Sequence, residues 1–173
     1  LFTNTYKSRK RNHDAIHALE TSDDMADALC AALPKDARVI RIHVSGDMFS
    51  HQYFMAWIKV AERNPELLFY AYTKSLTYWV RSRDLVPTNL VLTASYGGRN
   101  DHLIAEHGLR SAKVVFSKQE AADLGLDIDN DDSHACDPTK ANQDFALLIH
   151  GVQPKGSEAA SALKILKKEE VTA

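Results

Sequence analysis

The chain has 173 residues, 45% of them hydrophobic and 25% charged, with a formal net charge of −2 at pH 7. Those totals fit one domain with a sizeable core and are short for two. They give no positive surplus for general phosphate binding, so a nucleic-acid partner would need a local patch. No apolar run approaches the roughly 20 residues that cross a bilayer.

The basic run Lys7-Ser8-Arg9-Lys10-Arg11 has no apolar segment behind it. It does not read as a secretory signal, and a solvated helix face or tail is expected, with nucleic-acid contact as the alternative. The chain begins with Leu1 rather than Met, which leads us to expect the C-terminal part of a longer protein. A first helix is predicted over about Ser22 to Leu33, with Ser22 or Asp23 as its cap and Pro34 just beyond. Its Cys30 reads as a small apolar filler. Two cysteines, Cys30 and Cys136, make no disulfide framework and suit a reducing, cytoplasmic setting.

From Arg38 onward, short apolar runs alternate with amphipathic stretches, the pattern of parallel β-α units. The first strand is predicted over Arg38 to Val44. Ser50 then caps a helix in which Tyr53, Phe54, Trp57, Ile58 and Ala61 recur at helical spacing, closed by Asn64-Pro65. A second strand over Leu67 to Tyr72 leads to a short helix from Ser75 to about Arg83. A third strand spans Asn89 to Ala94, with a helix near Asp101 to His107 after Gly97-Gly98. A fourth covers Ala112 to Phe116, after which Ser117 caps a helix ending at Gly125. An acidic loop over 127–140 precedes a fifth strand, Phe145 to Ile149. A last helix starting at Gly156-Ser157 is expected to end in a charged tail over 167–173.

The fold class is therefore α/β, with a mainly parallel sheet and one domain over 1–173. An incomplete, TIM-like barrel or a doubly wound open sheet would both set the loops after the strands on one edge, where ligands bind. The first strand favours the barrel. Ile40, Ile42 and Val44 alternate with Arg41, His43 and Ser45, and a polar stripe suits a lumen or pocket better than a face buried under helices. Tyr70, Tyr72 and Lys74 make a similar stripe. Thr93 and Ser95, then Ser117 and Lys118, then His150, bring hydrogen-bonding groups to the ends of later strands.

Ser45-Gly46-Asp47 stands out on this rim. A glycine there can adopt positive φ or let backbone approach a ligand, and a carboxylate beside it can pair with an ammonium or accept ribose hydroxyls. Equally, Gly46 can be a turn and Asp47 a helix cap. Met48-Phe49 could pack on a ligand or on the helix. Gly97-Gly98-Arg99 could cradle an anion or form a flexible turn. Asp127, Asp129 and Asp131 invite a calcium reading, but the glycine and glutamate positions of an EF-hand loop hold Asp132 and Pro138, so a solvated loop is expected. His134 and Cys136 are two ligands at most, leaving Cys136 as a weak metal candidate. No Walker loop, dinucleotide GxGxxG or Ser-His-Asp order is present.

The run Arg41 to Ser50, then Tyr53-Phe54-x-x-Trp57, then Phe69-Tyr70-Ala71-Tyr72-Thr73-Lys74-Ser75, and finally Phe145 to Pro154, resembles the phage family labelled gene product eighty-eight. The resemblance covers about Arg38 to Leu166, and the family has no activity to carry over. That family in turn resembles radical S-adenosylmethionine enzymes built on partial β/α barrels. The resemblance implies that Ser45-Gly46-Asp47 stands where a Gly-Gly-Glu-like motif contacts the cofactor's amino group. It also implies that Tyr72-Thr73-Lys74 and Thr93-Ala94-Ser95 line a pocket. The three closely spaced cysteines of the cluster loop are absent, so S-adenosylmethionine with an iron–sulfur cluster is expected only if ligands lie upstream of Leu1.

Three functions follow as expectations. The first is a small nucleotide-like or S-adenosylmethionine-like ligand held by His43, Ser45, Gly46, Asp47, Tyr72, Lys74, Thr93, Ser95, Ser117 and His150. The second is a metal-dependent hydrolase using His43, Asp47, Asp101 and His150. The third is a non-catalytic phage accessory protein that has kept the scaffold.

Overall fold

The computed structural model describes residues 3–140 and 142–172. Helices α1 (Thr3–His17) and α2 (Ser22–Ala32) precede strand β1 (Val39–Ile42). Then follow α3 (His51–Arg63), β2 (Leu68–Thr73), α4 (Leu76–Arg81), β3 (Leu90–Ser95), α5 (His102–His107) and β4 (Ser111–Val115). The chain continues through α6 (Lys118–Asp123), β5 (Asp127–Ile128), α7 (Ser133–Cys136), β6 (Phe145–Leu148) and α8 (Glu158–Thr172). No helix among the described residues is long and apolar enough to cross a membrane.

Local chemistry explains the boundaries. Ser50 caps α3 by accepting from the Tyr53 amide at 3.1 Å, and Ser117 caps α6 in the same way through Glu120 at 3.0 Å. Glu120 answers by accepting the Phe116 amide, so two otherwise unpaired donors are satisfied together. At α2 the cap is Thr21, one residue before the expected Ser22 or Asp23; its hydroxyl accepts from the Asp24 amide. Gly108 ends α5 at φ +56, a left-handed turn that suits glycine.

The sheet has six strands in the order β1-β2-β3-β4-β6-β5, every adjacent pair parallel. It is open rather than closed, an arc consistent with part of a barrel. One face carries Ile42, Phe69, Ala71, Leu90, Leu92 and Ala94, buried against Phe54, Trp57 and Ile58 of α3 and Leu76 and Trp79 of α4. Val115 and Ala146 continue that face under Ala121 of α6. The final step runs backwards, since β5 lies outside β6. A right-handed connection in the reverse direction puts its helix on the opposite face, and α7 packs there, with Ala135 against Tyr70, Val91, Ala112 and Phe145.

Three expectations need correction. The 127–140 segment is not a solvated loop: it contains β5 and α7, and Asp129 is 4% exposed. Its backbone amides are drawn onto Asp129, which accepts from His134 at 3.1 Å and Asp131 at 3.3 Å. The charged tail over 167–173 is helical through Thr172, with residue 173 outside the described residues. The first strand stops at Ile42 because His43 takes φ +63, so the alternation of Arg41, His43 and Ser45 does not continue along a strand.

Candidate site at the strand ends

The left-handed turn at His43 redirects its side chain from the sheet to α3, where Nε2 lies 2.9 Å from the Tyr53 hydroxyl. Burial pushes the imidazole below its usual pKa, only partly opposed by the nearby Asp47 charge. Its Nδ1 is buried without a protein partner. Gly46 follows at φ +87, with open space where a Cβ would stand. Asp47 then reaches across to the end of β2. Its Oδ1 accepts the Thr73 hydroxyl at 2.6 Å and the Met48 amide at 2.7 Å, while Oδ2 accepts the Lys74 amide at 2.6 Å. The carboxylate therefore ties the loop after β1 to the loop after β2.

The remaining rim residues fall into separate groups. Lys74 turns its ammonium onto the end of β3, donating to Ser95 Oγ at 2.9 Å and to the carbonyls of Ser95 and Tyr96. The Gly97 and Gly98 amides, expected to cradle an anion, already hold the Asp101 carboxylate, each at 2.9 Å. Tyr72 and Thr93 lie on the α7 side of the sheet, bonded to Asp132 and Arg110 respectively. Ser117 is occupied as a cap, and His150 is exposed with Nδ1 2.9 Å from the Leu148 carbonyl oxygen. Of the ten expected ligand contacts, His43, Ser45, Gly46 and Asp47 line one pocket together.

That pocket, about 440 Å³, lies between α1 and the loop after β1. Phe49, expected to pack on a ligand or on the helix, forms its wall together with rings of α1 that the sequence did not single out. Phe49 stacks on Tyr53 with centroids 4.4 Å apart and planes 15° from parallel. His13 and His17 of α1 meet Phe49 at 5.4 and 5.2 Å and stack on each other at 5.4 Å. Arg9 lines the same space. The signal was available: positions 9, 13 and 17 repeat at four-residue spacing and so share one helix face.

An iron–sulfur cluster does not fit the described residues. Cys30 packs in the α2–α3 core, with the Asn64 side-chain amide 3.5 Å from its sulfur. Cys136 lies on the other face of the sheet, and burial raises its thiol pKa, which disfavours the thiolate a metal needs. Asp101 and His150, invoked with His43 and Asp47 for a hydrolase, are each engaged elsewhere. No group of three or more His, Cys, Asp or Glu among the described residues is placed to hold a metal.

The fold and the strand-end pocket define an open parallel α/β protein with a cavity beside the loop after β1. The family model described as Gene product 88 matches residues 1–168, and the chain belongs to that family. The Gene 88 protein of Mycobacterium phage L5 is 31% identical over 117 residues, which cover 59% of this chain and 49% of that protein. The chain thus spans about half the length of the curated relative it matches. No solved structure matches.

Proposed function

We propose that the chain is a binding domain for a small nucleotide-like ligand, held between α1 and the loop after β1. The observation that carries this reading is the ring cluster at the pocket, where Phe49 stacks on Tyr53 and His13, itself stacked on His17, meets Phe49 edge-on. Aromatic and imidazole faces suit a purine or pyrimidine, because every base has a π-face to stack. Arg9 beside them supplies a guanidinium for a phosphate or carboxylate. The position agrees with the general habit of parallel α/β sheets, whose ligands bind outside the carboxyl ends of the strands.

The role of Ser45-Gly46-Asp47 changes under this reading. Asp47 positions the pocket floor through Thr73 and Lys74 instead of meeting a cofactor amine. S-adenosylmethionine enters only as one adenosine compound among others. Isothermal titration with adenosine monophosphate and with S-adenosylmethionine tests the proposal. Saturable binding that weakens about tenfold in Phe49→Ala supports it, since base stacking is worth about 1–3 kcal/mol. Binding of neither compound, or identical binding by Phe49→Ala, would remove its basis.

A further inference from the structure

The α7 face of the sheet carries a donor set remote from the ring-lined pocket. Arg41 Nη1 donates to Asp132 Oδ2 at 2.6 Å, the Tyr70 hydroxyl donates to the same oxygen at 2.9 Å, and the Tyr72 hydroxyl donates to Oδ1 at 3.0 Å. One guanidinium and two phenols thus converge on the two oxygens of a single carboxylate. Burial and the carboxylate together push the Tyr70 phenol up to about 12 and raise Tyr72 further, so both hydroxyls stay protonated donors at neutral pH. Asp132 itself stands at φ +63, a conformation that side-chain-bearing residues seldom adopt, at the tip of the segment leading into α7.

Beside this carboxylate lies a cavity of about 550 Å³. Its polar side carries Arg41, Lys167 and Asp132 together with Asp129 and Asp131, whose carboxylates accept the His134 and Ser133 amides, and Leu147, Leu163 and Leu166 contribute apolar wall. We propose that Arg41, Tyr70 and Tyr72 form a binding site for a small carboxylate with an apolar body, and that Asp132 is the internal occupant of its head-group position. The donors match a carboxylate in number and direction, because they already satisfy one. The leucines would take the body of the ligand. A carboxylate with an apolar body fits this cavity better than inorganic phosphate, which has nothing to offer the leucine wall.

The test uses Asp132→Gly, because glycine accepts the left-handed backbone and removes only the competing carboxylate. Benzoate is titrated calorimetrically into the wild-type chain, Asp132→Gly, and Asp132→Gly combined with Tyr70→Phe and Tyr72→Phe. The expected result is saturable binding to Asp132→Gly, about tenfold or more tighter than to wild type, with loss of binding in the triple variant. Benzoate should also raise the melting temperature of Asp132→Gly. Equal affinity in wild type and Asp132→Gly, or retained affinity in the triple variant, would overturn the proposal. Stabilisation by inorganic phosphate but not by benzoate would overturn the carboxylate class. Should Asp132→Gly fail to fold, Asp132→Ser, whose side chain is too short to fill the head-group position, carries the same comparison and the same expected order. The site does not share residues with the α1 pocket, so either reading can fail alone.

Discussion

Asp47 and Thr73, 26 residues apart in sequence, meet through a 2.6 Å hydrogen bond that joins the ends of β1 and β2. Thr73 is 1% exposed, so its hydroxyl has no water to turn to if the carboxylate is lost. Asp47→Ala should cost about 2–4 kcal/mol, because it strands that hydroxyl and frees the Met48 and Lys74 amides. Asp47→Asn, which keeps an acceptor oxygen, should cost less. Urea unfolding of the three proteins checks the order.

His43 gives the fold a pH dependence of definite sign. Its folded pKa lies below the unfolded value near 6.5, with burial the main cause. The unfolded chain therefore takes up the proton first, and this contribution to stability is present above pH 6.5 and lost as pH falls toward the folded pKa. His51, also depressed by burial, acts in the same direction. Asn tolerates the left-handed backbone and does not titrate, so His43→Asn should flatten the loss of melting temperature between pH 7.5 and about 5.5. An unchanged pH profile would remove His43 as the source.

Arg110 holds the acidic segment in place. It is 5% exposed and donates to the carbonyls of His134 and Ala135, each at 3.0 Å, and to Thr93 Oγ1. Arg110→Lys cannot reproduce that planar fork. It should cost about 2–3 kcal/mol and raise amide exchange across 129–136 more than in α3. Hydrogen exchange read by mass spectrometry distinguishes this local loosening from general destabilisation.

The helix-covered core gives a simpler expectation. Phe54 and Phe69 are 1% and 0% exposed and face each other's elements across the α3–sheet interface. Truncating either to Ala should cost about 3–5 kcal/mol, measured by denaturant midpoint at unchanged slope.

The parts of this architecture that were legible in sequence are those written in local chemistry. Ser50 and Ser117 are helix caps because a hydroxyl before an amphipathic run has unpaired amides to accept. The strand Leu68–Thr73 alternates Phe69 and Ala71 against Tyr70 and Tyr72, and those sets do face opposite sides of the sheet. What stayed hidden depends on partners distant in sequence. Nothing near Asp132 announces that it will pair with Arg41, 91 residues earlier, so the acidic segment read as solvated. Likewise, a single left-handed residue at His43 cancelled the alternation expected of the first strand, and no pattern in Ile42-His43-Val44 signals that turn. The polar rim was also partly self-satisfied: Lys74 and Asp101 fill each neighbouring site with their own charge.

Aromatic-region NMR during titration with adenosine monophosphate tests the proposed ligand position between α1 and the loop after β1 most directly. Binding there should give saturable, stacking-type shifts of the Phe49, Tyr53 and His13 ring signals with little change at Tyr70 and Tyr72. Saturable shifts confined to Tyr70 and Tyr72, or no ring shifts at all, would contradict it.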